Sequence, residues 1–248
     1  PDLSIVGDAK KILASIYEIL SETMMKREKS PWLDRIKEVK ESFRAKLRDS
    51  GREVTPMKVL KAMRELLPPE AVVTTEVGQN QMWACMFWKA LKPRTYITSG
   101  GLGTMGFGFP ASIGAKVAKP DVPVVDIAGD GSFTMTENSL ATSVRENIPV
   151  IVVILNNSML GMVAQWQRLF FNRRYSAVEL GECPDFVKLA EAYGAHGVRI
   201  GSMKEFTKAL REALRSDVTT VIDVPIWPEE NVLPMIPPGG SIKEMIWE

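Results

Sequence analysis

From Val54 onward the apolar positions switch repeatedly between two periods. Short runs rich in β-branched residues fall at 71–75, 96–98, 122–128, 150–155, 198–200 and 219–224, and each predicts a strand. Between them, spacing of three to four predicts helices over 55–67, 79–90, 109–117, 132–146, 185–193 and 203–215, with another starting at Gly161. Thr55-Pro56 is a helix start, and Pro68-Pro69 stops that helix. The runs 122–128 and 150–155 are almost continuously apolar, as strands covered on both faces are. Such alternation predicts an α/β fold: a doubly wound, mostly parallel sheet with helices on both faces. In sheets of this kind ligands sit beyond the carboxyl ends of the strands.

The first fifty residues differ. Ile5-Val6 could end a short strand, and Ile12, Ile16, Ile19 and Leu20 recur at helical spacing behind Gly7-Asp8. A charged stretch, Lys26-Arg27-Glu28-Lys29, precedes Pro31 and a second helical pattern through Ile36, Val39, Phe43 and Leu47. This predicts residues 1–51 as the tail of a preceding domain with a helical linker, ahead of a domain over 52–248. Solvated helices packed on that same domain fit the pattern equally well. The tail from Pro225 holds five of the sixteen prolines and is expected to be extended and irregular.

Composition narrows the function classes. Thirty-one Lys and Arg against thirty Asp and Glu leave a net charge of +1, so nothing draws the chain to nucleic acid or a membrane surface. No run approaches a membrane span, and no secretory leader is visible, which makes a cytoplasmic location the expectation. Two cysteines, Cys85 and Cys183, and one histidine, His196, exclude a disulfide framework and a multi-histidine metal centre. Demanding chemistry in such a chain would fall to a bound cofactor.

Three motifs could carry it. Gly100–Gly108 places glycines at 100, 101, 103, 106 and 108, after a strand and before a helix. Residues 101–106 satisfy G-x-G-x-x-G, but the acid twenty positions on, Asp126, falls inside an apolar run instead of at a strand end. A dinucleotide loop and a structural tight turn both remain open on this motif. The second is Gly129-Asp130-Gly131-Ser132, directly after one buried strand; the third is Asn156-Asn157, directly after the next. A carboxylate and an amide oxygen at the ends of two strands that could be neighbours are hard ligands suited to Mg²⁺, which is usually completed by phosphate oxygens and water. Taken singly, each is equally a turn with an N-cap or a plain strand end.

Together, G-D-G and N-N at this spacing resemble the thiamine diphosphate signature. Val77-Gly78-Gln79-Asn80-Gln81-Met82-Trp83, the 100–108 loop, Gly161-Met162-Val163 with Gln165-Trp166-Gln167, and Glu230-Asn231-Val232-Leu233-Pro234-Met235 further resemble the acetolactate synthase (acetohydroxyacid synthase) family. The resemblance covers residues 52–248; residues 1–50 resemble the end of that family's middle domain.

The resemblance implies a set of roles. Asp130, Asn157 and the main-chain carbonyl of Met159 would bind Mg²⁺. Gly131, Ser132, Gln79, Asn80 and Gly161 would hold the diphosphate, although the family often has histidine at the place of Asn80. Gly101, Gly103 and Met105 would line the pyrimidine and thiazolium region, Met105 or Met162 would brace the bent cofactor, and Trp166 would line the substrate channel. It implies decarboxylation of pyruvate and condensation of its two-carbon unit with a second 2-keto acid, a step of branched-chain amino acid biosynthesis. It also implies an activating glutamate in a pyrimidine-binding domain that this sequence does not contain. The chain is therefore expected to be inactive alone and to work as a homo-oligomer or with a partner chain; a regulatory subunit is a further partner that the resemblance allows. FAD would bind mostly outside it. Another thiamine diphosphate enzyme, of pyruvate oxidase or glyoxylate carboligase type, and a non-catalytic cofactor-binding module are the alternatives. His196 reads as a loop histidine and Arg173-Arg174 as a solvated pair, with a catalytic and an anion-binding role as the respective alternatives.

Overall fold

A computed structural model describes residues 1–25, 30–47, 49–181 and 184–247. Cys183 and the charged run at 26–29 lie outside the described residues. The chain divides into two compact units, Pro1–Arg48 and Asp49–Glu248.

The first unit holds α1 (Ala9–Thr23) and α2 (Pro31–Lys46). Asp8 caps α1 by accepting from the Lys11 N–H at 3.0 Å. Neither helix has a buried residue. Ile5 and Val6 form no strand and are exposed, with no neighbouring strand among the described residues of the unit to pair with them.

The second unit contains one six-stranded, all-parallel sheet among the described residues, in the order β2-β1-β3-β4-β6-β5. Its elements run α3 (Pro56–Leu66), β1 (Val72–Thr75), α4 (Gln79–Phe87), β2 (Tyr96–Thr98), α5 (Gly108–Ala118), β3 (Val124–Gly129), α6 (Asp130–Phe133), α7 (Leu140–Arg145), β4 (Ile151–Asn156), α8 (Gly161–Phe170), α9 (Phe186–Ala192), β5 (His196–Arg199), α10 (Met203–Ala213) and β6 (Thr220–Pro225).

Strand periodicity splits the core in two. Val125, Ile127, Val153 and Leu155 face a layer built from α3, α4 and α10, where Leu60, Trp83 and Phe206 pack. Val124, Ala128, Val152 and Ile154 face the opposite layer, where Phe109 of α5, Phe133 of α6 and Phe186 of α9 stack at centroid distances of 5.2 and 5.8 Å. The sheet is thus doubly wound, and the apolar runs are continuous because both faces are covered. The helix after β1 lies on one face and the helix after β3 on the other. Their loops diverge between these two neighbouring strands, and a crevice opens there.

Several boundaries differ from expectation. The helix expected over 132–146 is broken into α6, a 3₁₀ turn at Glu137–Ser139 and α7. The Thr134 and Thr136 hydroxyls donate to the carbonyls of Asp130 and Gly106, competing with the helical ladder. The fifth strand starts at His196, paired with Thr220, so this histidine opens an edge strand and is exposed. The tail is irregular except for a 3₁₀ turn at Ile242–Glu244 and an antiparallel bridge between Met235 and Ile246. No helix among the described residues is long and apolar enough to cross a membrane.

Candidate functional site

A cavity of about 180 Å³ lies at the carboxyl ends of β1, β3 and β4. Val77, Gly78 and the start of α4 give one wall, and Gly129 with α6 gives another. Residues 157–163 give the third, and Gly103 and Met105 of the glycine loop reach into it.

Asp130 follows β3 directly and is 6% exposed; Asn157 follows β4 directly and is 5% exposed. Parallel register of the two strands, Gly129 against Leu155, brings both side chains to the same cavity. Burial lifts the Asp130 carboxyl to about pKa 7, against the main-chain hydrogen bonds of Gly131 and Ser158; the nearby Asp223 adds to the rise. The neighbouring asparagine turns away. Asn156 Nδ2 donates to Asp223 Oδ1 at 2.9 Å, while its Oδ1 accepts from the Ser158 N–H at 3.1 Å.

Ser158 takes a left-handed φ of 56°, which reverses the chain after β4. An antiparallel bridge then joins Met159 to Glu179. Flanking bonds run from the Leu160 N–H to Val178 and from the Leu180 N–H to Ser158, and no hydrogen bond among the described residues uses the Met159 carbonyl. Asn157 Oδ1 accepts from the Met159 N–H at 3.2 Å, which leaves this oxygen a second lone pair.

Beneath the cavity floor lies a carboxylate that the motifs did not single out. Glu76 is fully buried at the end of β1. Its Oε1 accepts from the Phe109 N–H at 2.9 Å, and its Oε2 from the Gly106 N–H at 2.8 Å and the Ser132 hydroxyl at 2.6 Å. Burial raises its pKa and these bonds oppose the rise. Glu76 therefore ties the glycine loop, α5 and α6 to one point. Asp126 is also fully buried in mid-strand, with Oδ1 accepting from the Thr74 hydroxyl at 2.9 Å and Oδ2 without a partner. Burial first, and the charge of Glu76 second, push its carboxyl well above the usual range. Sealed there, Asp126 cannot reach a ribose, and the dinucleotide alternative for the glycine loop loses its acid.

Of the residues singled out by sequence, Gln79, Asn80, Gly103, Met105, Asp130 and Gly131 line the cavity, as do Ser132, Asn157, Met159, Gly161 and Met162. Gly101 stands outside it, exposed in the loop two residues before Gly103. Trp166 lies in an adjoining outer cavity with Phe171 and Arg174, which shares Val163 with the inner one. The side chains of Gln79 and Ser132 are committed to protein partners, Gln79 to Gln165 and Asn157 and Ser132 to Glu76, whereas Asn80 is held only through Nδ2, on the Ile127 carbonyl. Arg173 pairs with Glu229 at 3.0 Å, and His196 is remote from the cavity walls. Trp83, which ends the Val77–Trp83 motif, also lines the cavity, and Leu155 and Leu160 join it with no local signal to mark them. Cys85 is exposed, with Sγ 3.5 Å from the Tyr96 hydroxyl.

Among the described residues no group of three or more His, Cys, Asp or Glu could hold a metal. Asp130, the Asn157 amide oxygen and the Met159 carbonyl are an oxygen set that needs further ligands to complete a cation's shell.

Residues 76–224 match the protein family described as thiamine pyrophosphate enzyme, C-terminal TPP binding domain. The chain is 45% identical over 251 residues to a probable acetolactate synthase large subunit of Methanocaldococcus jannaschii, covering 99% of this chain and 42% of that protein. It is 43% identical over 246 residues to an acetolactate synthase large subunit of Parasynechococcus marenigrum, covering 99% and 40%. It is 39% identical over 244 residues to the acetolactate synthase isozyme 2 large subunit of Escherichia coli, covering 98% and 43%. The chain thus spans about two fifths of the length of these curated relatives.

Proposed function

The chain belongs to the thiamine pyrophosphate enzyme family, carrying its C-terminal TPP-binding domain, and on that premise we propose that the cavity holds thiamine diphosphate and one Mg²⁺ as part of an acetolactate synthase active site. The observation that carries this is the convergence of Asp130 and Asn157, from adjacent strand ends, on one cavity.

The residues present fit both groups. A carboxylate, an amide oxygen and an unused main-chain carbonyl are hard donors of the kind Mg²⁺ accepts, with diphosphate oxygens and water filling the remaining octahedral positions. A cation there would also offset the burial that lifts the Asp130 carboxyl. Helices α4 and α8 both begin at the cavity, at Gln79 and Gly161, so their free N–H groups and positive dipole ends favour an anion. Met105, Met162 and Leu155 give an apolar wall suited to a heteroaromatic ring.

When bound, thiamine diphosphate supplies an electron sink for breaking and making carbon–carbon bonds beside a keto group. The chain's own residues bind and orient. Asp130, Asn157 and the Met159 carbonyl fix the metal, and the helix ends anchor the diphosphate. Trp166 and Val163, at the junction of the inner and outer cavities, border the path by which pyruvate and a second 2-keto acid enter. Identities of 39–45% to acetolactate synthase large subunits support that pair of substrates. Glu76 cannot serve as the activating acid, because both its oxygens are held by the glycine loop, α5 and Ser132. The activating carboxylate is therefore expected from outside residues 1–248, in the pyrimidine-binding domain that the family resemblance implies.

Calorimetric titration of the purified chain in Mg²⁺ tests this. Thiamine diphosphate is expected to bind saturably and thiamine far more weakly, because the diphosphate is the anchor. Equal affinity for the two would overturn the assignment.

A further inference from the structure

Behind Asn157 runs a line of buried side-chain amides whose polarity is set from the C-terminal segment. The Val232 N–H donates to Gln165 Oε1 at 2.7 Å, and Gln165 Nε2 donates to the Val232 carbonyl at 3.1 Å. Backbone groups cannot exchange donor for acceptor, so these two contacts fix which end of Gln165 is oxygen. Gln79 Nε2 lies 2.8 Å from that oxygen and 3.0 Å from the Glu230 carbonyl, two acceptors that require the amino end. The oxygen of Gln79 then faces Asn157, which meets it with Nδ2 at 3.1 Å. Asn157 Oδ1, which also accepts from the Met159 N–H at 3.2 Å, is left as the atom that can serve a cation with its second lone pair.

The fold makes room for this line. A Cβ on Gly161, the first residue of α8, would lie 2.5 Å from Asn157 Nδ2 and 2.9 Å from Gln79 Cδ, so any other residue there would push the two amides apart. The tail is fastened independently, with Arg168 Nε and Nη2 donating to Asn231 Oδ1 at 3.0 and 2.6 Å.

We propose that Gln79, held by Gln165 and by the main chain of Glu230 and Val232, is a positioning residue that keeps the amide nitrogen of Asn157 turned away from the metal. The C-terminal segment thereby reinforces, from the Nδ2 side, the orientation that the Met159 N–H gives on the Oδ1 side to a ligand more than seventy positions earlier in the chain. This rests on the metal assignment made above. An amide that can flip presents nitrogen to a cation part of the time. A carboxylate, whose two oxygens are equivalent, gains nothing from being oriented.

That difference gives the test. Mg²⁺ is titrated calorimetrically into the full chain with saturating thiamine diphosphate, in the wild type, Gln79→Met, Asn157→Asp and the double variant, with thermal unfolding run alongside. Gln79→Met is expected to weaken Mg²⁺ binding about tenfold in the wild-type background. In the Asn157→Asp background the loss is expected to vanish or change sign, because Gln79 Oε1 would there face a carboxylate oxygen and its removal relieves repulsion. Equal weakening in both backgrounds, as a general loss of shape would give, overturns the proposal, and so does no weakening in the wild type. Gln165→Met, which leaves the Glu230 carbonyl on Gln79, is expected to show the same pattern at smaller size and serves if Gln79→Met does not fold. An Asp130→Ala chain with unchanged Mg²⁺ affinity would remove the metal assignment itself, a failure separate from that of Gln79.

Discussion

A Cβ at position 108 would lie 2.6 Å from the Thr75 carbonyl carbon and closer still to the Glu76 nitrogen and Asp126 Oδ1. Two of those three atoms are backbone of a central strand and cannot yield. Gly114, two turns along the same helix, has nothing within 4 Å of the corresponding point. Gly108→Ala is therefore expected to cost about 3 kcal/mol or more by overpacking, whereas Gly114→Ala should stabilise by about 0.5–1 kcal/mol through helix propensity. Urea unfolding of the two variants reads both signs, and equal effects would contradict the packing of α5 on β1. At this scale the sequence is informative where chemistry and strand ends coincide. Asp130 and Asn157 each stand two positions past the end of an apolar run, in the G-D-G and N-N motifs, and that placement is legible in the order of residues alone. Glu76 directly follows the run 71–75 and Gln165 opens the Gln165-Trp166-Gln167 motif, but neither position tells its role, because what distinguishes them is burial among partners 30 to 86 positions away. A polar residue beside an apolar run looks alike whether it is solvated or sealed.

Between the elements, Glu76 is the fastening point. It stands at the end of β1 and accepts from the glycine loop, the start of α5 and α6. Glu76→Ala leaves the Phe109 N–H without its acceptor and the Gly106 N–H with only the Ser132 hydroxyl at 3.2 Å. A buried donor without a partner costs about 1–3 kcal/mol, so a loss of about 2 kcal/mol or more is expected. Amide exchange should quicken at Gly106 and Phe109 while β3 and β4 stay protected; unchanged exchange at those two amides would contradict the clamp. Sequence periodicity locates every strand of the sheet to within a residue or two, since β-branched runs between turn residues leave little choice. It fails over 132–146, where Thr134 and Thr136 turn their hydroxyls onto backbone carbonyls and break the helix. Loop geometry of that kind depends on where the glycine loop comes to lie, and no local window contains it.

For the whole molecule, strand alternation carries the architecture. Two cores, one on each face, account for the continuous apolar runs, and the switch in helix placement between β1 and β3 accounts for the crevice. The strand order itself is not legible in the sequence, because parallel crossovers of similar length connect neighbours and non-neighbours alike. The unit Pro1–Arg48 buries no residue of its helices and so gives no packing pattern to read. Everything proposed for the second unit converges on one cavity, where on that proposal a diphosphate and a cation hold each other, two side chains and a carbonyl leaving half of an octahedral shell to phosphate oxygens and water. The direct measurement is the affinity for Mg²⁺ with and without thiamine diphosphate, in the wild type and in Asp130→Ala. Binding is expected to be tight only with the diphosphate present, and to weaken by about tenfold or more without Asp130. The same Mg²⁺ affinity in Asp130→Ala, or an affinity indifferent to the diphosphate, would contradict the metal site.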